Sequence, residues 1–325
     1  MQEFCEPDSK PFLEWLNGQW GIDFDSICED VNIQGSPERT VSRAVFKDTR
    51  GHRFIIEKFD PKKYQIRLNV AHAVDYLNKN GLNQALSYNK TSDGLFLPFY
   101  KEACFQVSAF LDSTGVKRPD YLSSAAMGKS FAVFLIRLSK AAAGIDQHLS
   151  FEPFSIKNYI YQLFSQMKIH DTGIYEKFLP MLKFLEQEFM DVHDQLPLSF
   201  CHGDLHPLNV IWFNDRIKAV IDWEFTGLKP DIYDLANLVG CAGIEDPAGL
   251  GMPMVMAVIK QVRANRLYSD LGWRFFPEYM LALRFAWLSE WLRKQDSQMI
   301  EMEEAYMGIL MDNMAVLKKG WLIEP

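Results

Sequence analysis

The chain has 325 residues, 48% of them hydrophobic, and a net charge of −8. That length exceeds most single cores, so two lobes are expected, and the acidic balance excludes a general nucleic-acid binder, which needs clustered Lys and Arg. Five scattered cysteines with no C-x-x-C pair, a start without the pattern of a secretory signal, and no apolar run of membrane-spanning length together predict a cytoplasmic chain without membrane partners.

Residues 10–20 carry Phe12, Leu13, Leu16 and Trp20 at helical spacing, which predicts a short first helix. Strands are predicted at 31–33, 40–46 and 54–59, the last two joined by a turn that ends in Gly51. Between the first two lies Gln34-Gly35-Ser36-Pro37. Its one glycine suits a plain hairpin turn and a close approach to phosphate equally. Lys58 shares a strand face with Ile56, so its ammonium either points across the sheet or stands in water. Residues 62–79 form a helix whose apolar stripe is Tyr64, Leu68, Ala71 and Val74. The one carboxylate of that helix, Asp75, falls on or near the stripe. A hairpin is expected from 82–88 and 96–100, then a strand at 104–110. The shift to Leu111-Asp112-Ser113-Thr114-Gly115 suits a hinge.

Helices dominate beyond the hinge. Residues 123–130, SSAAMGKS, end like a phosphate-binding P-loop but lack its leading glycine and its preceding strand. Leu122, Ala126, Phe131, Phe134 and Leu138 keep core spacing through it, so it reads as a helix. Two more helices are predicted at 155–167 and 174–193.

The stretch 201–234 carries the chemistry. His202, Asp204 and Asn209 form H-x-D-x-x-x-x-N, and a predicted hairpin of 211–213 and 219–221 leads to Ile221-Asp222-Trp223-Glu224. Phosphoryl transfer to a hydroxyl needs a carboxylate to receive the proton and oxygen ligands for magnesium. Asp204 supplies the first, and Asn209 with Asp222 the second. A simple turn would explain Gly203 and a capping Asp204, but not a second carboxylate placed after a hairpin. His202 and His206 are not a zinc pair, because Gly203 and Pro207 make this a loop and no Glu lies between them. Further on, Tyr279, Leu283, Trp287 and Trp291 repeat every fourth residue, with Arg284 and Glu290 beside them. They form either a buried seam or one wall of a substrate pocket.

HGDLHPLN followed by IDWE resembles the aminoglycoside phosphotransferase and choline kinase superfamily of small-molecule kinases. The helix at 276–294 is similar to the late helix of type II homoserine kinases and N-acetylhexosamine kinases. The resemblance implies an α+β, protein-kinase-like fold: residues 1–111 as an antiparallel-sheet nucleotide lobe and 112–325 as a helical catalytic and substrate lobe. It implies ATP and Mg2+ as cofactors, and transfer of the γ-phosphate to a hydroxyl of an amino alcohol, amino sugar, homoserine-like molecule or aminoglycoside. Asp204 would be the catalytic base, and Asn209 and Asp222 the metal ligands. His202 would brace the loop, and Asp234 would tie it to the next helix. Glu224 would touch substrate or metal, His206 would hydrogen-bond near the loop, and Arg284 would line the substrate pocket. In the first lobe Lys58, oriented by Asp75, would grip the α and β phosphates. The bend holding Gly35 and Ser36 would cover them, and the backbone of 106–109 would receive the adenine. A non-catalytic nucleotide-binding module of the same fold is the alternative.

Overall fold

The computed structural model describes residues 10–31, 33 and 40–321. Its first part is a helix, α1 (Lys10–Trp20), followed by β1 (Phe24–Ile27), β2 (Ser42–Asp48) and β3 (Arg53–Phe59). Helix α2 (Tyr64–Lys79) comes next, then β4 (Tyr88–Asn89), β5 (Phe99–Tyr100) and β6 (Ala103–Ala109). Among the described residues these strands form one antiparallel sheet in the order β1-β2-β3-β6-β4, with β5 also on β6. The β2–β3 turn closes as predicted: the Asp48 carboxylate accepts from the backbone of Arg50 and His52, and Gly51 takes φ +85°.

The sheet has two distinct faces. On one, Ile56, Phe105 and Val107 pack with Phe12, Leu16 and Trp20 of α1. On the other, Phe59 and Cys104 pack with Ala71 of α2. Side chains alternate across a strand, so Lys58 goes with Ile56 and away from α2, while Ile55 and Glu57 share the α2 side. The expected strand at 31–33 falls partly outside the described residues, and its described ends, Val31 and Ile33, are in no strand; β1 lies earlier and pairs with β2 through a register shift. The expected 82–88/96–100 hairpin is also absent. The backbone at 84–86 instead pairs with Val220 far along the chain, by Val220 N to Gln84 O at 2.6 Å and Leu86 N to Val220 O at 3.1 Å.

The second part begins with α3 (Ala125–Ala141), α4 (Ile156–His170), α5 (Thr172–Leu185) and α6 (Phe189–Val192). The strands β7 (Leu198–Cys201), β8 (Val210–Phe213), β9 (Arg216–Val220) and β10 (Gly227–Pro230) then make two small pairs, β7 with β10 and β8 with β9. Helices α7 (Tyr233–Glu245), α8 (Pro253–Ala264), α9 (Asp270–Arg274), α10 (Phe276–Lys294), α11 (Ser297–Asp312) and α12 (Met314–Gly320) complete it. A single large core runs through these helices, built on Phe131, Phe178, Phe189, Trp212, Tyr279 and Phe285. The predicted helix 174–193 is two, α5 and α6, separated at 186–188. The GKS segment is helical, with Gly128 where α3 crosses α8: a Cβ there would meet the Met254 carbonyl oxygen at 2.1 Å. No helix among the described residues is long and apolar enough to cross a membrane.

Candidate active site

The loop after β7 is held by its neighbours before it does anything else. Gly203 has φ +87°, and a Cβ there would lie 2.1 Å from the Phe225 carbonyl oxygen, so both its conformation and its surroundings require glycine. The Asp234 carboxylate, in the first turn of α7, accepts the backbone N–H groups of His202 and Gly203, each at 2.8 Å. Its burial raises the carboxyl to about 6, against the pull of those two donors and of Lys229. His202 is fully buried, and burial pushes its imidazole down to about 3. The neutral ring donates from Nε2 to the Ile221 carbonyl at 2.9 Å and accepts the Asp204 N–H at Nδ1, 3.2 Å away. It thereby joins the loop to the strand end that carries Asp222.

Asp204 and Asn209 are joined directly. The Asn209 amide nitrogen donates to the Asp204 backbone oxygen at 2.8 Å and to Oδ2 at 3.0 Å. The nitrogen end of the amide is therefore committed to Asp204, and its oxygen end keeps coordinating capacity. The Ile221 N–H donates to the Asn209 carbonyl at 3.0 Å, which sets Asp222 beside Asn209. Asp222 itself adopts the left-handed region, φ 67° and ψ 52°, rare for a non-glycine and typical of residues a site requires in one orientation. Asn209 and Asp222 line one cavity of about 280 Å³. Among the described residues no three His, Cys, Asp or Glu side chains are grouped to hold a metal by themselves. One amide oxygen and one carboxylate still fit Mg2+, which keeps waters and takes phosphate oxygens as its remaining ligands.

The roof of that cavity differs from expectation. It is formed by Arg43, Ile55, Glu57, Ser108 and Arg67. Lys58 is not among the lining residues, because the strand alternates and Glu57 takes the inward position. Asp75 does not meet Lys58 either; it pairs with Lys79 at 2.8 Å and Lys90 at 3.1 Å. Arg67 is buried on α2, its guanidinium 4.2 Å over the Phe59 ring, and it is ion-paired with Glu224. Glu224 thus faces α2. Gly35 and Ser36 lie outside the described residues. Arg43, Glu57 and Arg67 were missed from sequence. Arg67 had a signal: it is a charge three, four and seven residues before Val70, Ala71 and Val74, on the apolar face of α2.

On the far side of Asp204, His206 Nε2 lies 3.7 Å from Asp204 Oδ1, and its Nδ1 accepts the Leu208 N–H at 3.3 Å. Trp287 reaches the same region, donating to Asn237 at 3.4 Å with its ring centroid 6.4 Å from that of His206. Asn237 in turn donates to the Leu205 carbonyl at 3.2 Å. Arg284 is not presented to a pocket. It is 2% exposed and held by Glu303, itself fully buried, through Nε to Oε2 at 2.8 Å and a second contact from Nη2. Trp287 and Trp291 stack on each other, 5.9 Å apart and tilted 26°.

A sequence model described as "Phosphotransferase enzyme family" (APH) matches residues 39–259. Protein LicA of Haemophilus influenzae is 35% identical over 52 residues, 16% of this chain and 19% of LicA. A homoserine kinase of Granulibacter bethesdensis is 28% identical over 109 residues, 32% of this chain and 34% of that enzyme. The chain thus matches under a fifth and about a third, respectively, of the length of these relatives. Among solved structures, the amicoumacin kinase hAmiN, in complex with AMP-PNP, Ca2+ and Ami, superposes with a TM-score of 0.67 at 15% identity, over 94% of each chain. At that identity the likeness speaks for the fold, and it is the α+β kinase-like architecture expected from HGDLHPLN and IDWE.

Proposed function

The chain belongs to the phosphotransferase enzyme family, and from that membership we propose that it transfers the γ-phosphate of ATP to a hydroxyl group of a small molecule. The acceptor class we favour is an amino alcohol, an amino sugar, a homoserine-like molecule or an aminoglycoside. We assign it to the cytosol, in keeping with the free thiols of Cys28, Cys104, Cys201 and Cys241. One observation carries the reading: Asn209 bonds Asp204 through its nitrogen while lining, with Asp222, the cavity beneath the sheet.

In this mechanism Asp204 accepts the hydroxyl proton of the acceptor and aims its oxygen at the γ-phosphorus. Asn209 holds the carboxylate in one rotamer. Asn209 and Asp222 would hold Mg2+, which supplies positive charge to the phosphate oxygens when bound. His202 and Asp234 keep the loop from relaxing, so the contribution of the protein is position and electrostatics rather than covalent chemistry. Asp204→Ala and Asp222→Ala are each expected to lower ATP-dependent phosphorylation by about a thousandfold, with the fold intact by circular dichroism. Near-parental turnover by either variant, on a panel of the four acceptor classes, contradicts the reading. Glu57 in the roof favours a second reading, a nucleotide binder without transfer; Mg-dependent ATP consumption that rises with any acceptor rules it out.

A further inference from the structure

A nucleotide polyphosphate needs cations within reach, and strand β3 offers the cavity a carboxylate instead. Glu57 lines it, while Lys58 follows Ile56 to the opposite face. Among the described residues, the cations that line the cavity are two arginines from other elements. Arg43 on β2 is the register partner of Glu57, its Nη1 3.8 Å from Glu57 Oε1. Arg67 reaches in from α2, paired with Glu224 and stacked on Phe59. Burial raises the Glu57 carboxyl, the two arginines oppose that rise, and the charge of Asp222 adds to it. Two guanidinium groups and two carboxylates, Glu57 and Asp222, thus act on one small cavity. A strand-borne acid and a helix-borne base reverse the polarity of the strand lysine and helix acid expected from the motif.

Resting on the phosphotransferase reading, we propose that Arg43 and Arg67 grip the phosphates of the nucleotide in this chain, with Glu57 and Glu224 as the carboxylates they hold in its absence. A guanidinium is weakly hydrated and presents a planar fork that matches two phosphate oxygens, which suits a buried clamp better than an ammonium does. Glu224 lies two residues after Asp222, so Arg67 connects the phosphate end of the cavity to the segment that carries the metal ligand.

The test is calorimetric titration of the full chain with adenosine, ADP and ATP in the presence of Mg2+. Arg43→Met and Arg67→Met are each expected to weaken ATP and ADP by about tenfold or more while changing adenosine less than twofold. Glu57→Gln is expected to tighten ATP, and Lys58→Met to leave all three within twofold. Arg67 is buried, so thermal unfolding of Arg67→Met is measured alongside; if it does not fold, Arg43→Met, at the partly exposed position, decides alone. Loss of adenosine and ATP in equal measure in Arg43→Met overturns the proposal, as does unchanged ATP binding. A loss confined to Lys58→Met returns the role to the strand lysine. If the parent binds ATP but the arginine variants bind it equally well, this inference alone fails. If the parent binds no nucleotide, the phosphotransferase reading fails with it.

Discussion

Two residues beneath the loop respond to acid with opposite sign. The imidazole of His202 is depressed to about 3 by burial, so between about pH 6.5 and 3 the unfolded chain binds a proton that the folded one refuses. Stability contributed there is full above 6.5 and is lost as the pH falls. The Asp234 carboxyl is raised to about 6, so the folded chain binds the extra proton between about pH 6 and 4. Its contribution is full at low pH and is lost as the pH rises through 6. Urea unfolding of His202→Gln between pH 6 and 4.5 is therefore expected to lose less stability on acidification than the parent does, by roughly 1 kcal/mol per pH unit. Asp234→Asn is expected to lose more. Parallel lines for parent and variants would contradict these burial shifts. Gly203→Ala forces both a left-handed φ and a backbone clash. It is expected to lower the unfolding free energy by about 3 kcal/mol and to reduce phosphate transfer further than that loss explains, because the displaced carbonyl belongs to the segment next to Asp222.

At the scale of elements, the late helices are joined by a charge pair with no access to water. Arg284 on α10 and Glu303 on α11 face each other in the core, and the Trp291 indole also donates to Glu303 at 3.1 Å. Removing one partner leaves the other as an uncompensated buried charge. Glu303→Ala is expected to cost about 3–5 kcal/mol, measured by denaturant unfolding, and Arg284→Met/Glu303→Leu to recover most of it. A double variant as unstable as the single one would mean that the pair is worth more than its desolvation. Helical spacing alone placed Arg284 at a seam or a pocket without choosing, since the partner that decides it stands nineteen residues on. The same limit hid the roof. The run RFIIEKF has apolar residues on both faces, so its phase could not be read until α1 and α2 covered opposite sides. That His202, Asp204, Asn209, Asp222 and Asp234 come together was legible because they sit in one contiguous stretch, joined by hydrogen bonds over short spans of chain. Arg43, Glu57 and Arg67 come from three separate elements, and only packing brings them together.

For the molecule as a whole, one cavity takes its roof from the sheet and α2 and its floor from the loop and hairpin of the helical part. A ligand that fills it binds both parts only when both are folded. Saturating ATP with Mg2+ is expected to add about 3 kcal/mol at a hundredfold excess over Kd, and to move the thermal transition upward as a unit. A shift confined to one step of a split transition would show that the ligand senses a single part.

The β8–β9 hairpin is fastened to the first part of the chain at two places, the 84–86 segment after α2 and the 113–114 segment after β6. The backbone at 84–86 adds to its edge through Val220, and Thr114 N–H and the Ser113 hydroxyl reach the Trp212 carbonyl at 2.9 and 3.3 Å. Two seams on one short ribbon define an axle. Gaping by simple separation would tear both at once, whereas swivelling about the ribbon keeps them intact. Because the ribbon leads straight into Ile221 and Asp222, the fastened hairpin and the residue that lines the cavity beside Asn209 are one piece of chain, so a change that loosens either seam is felt at Asp222 first.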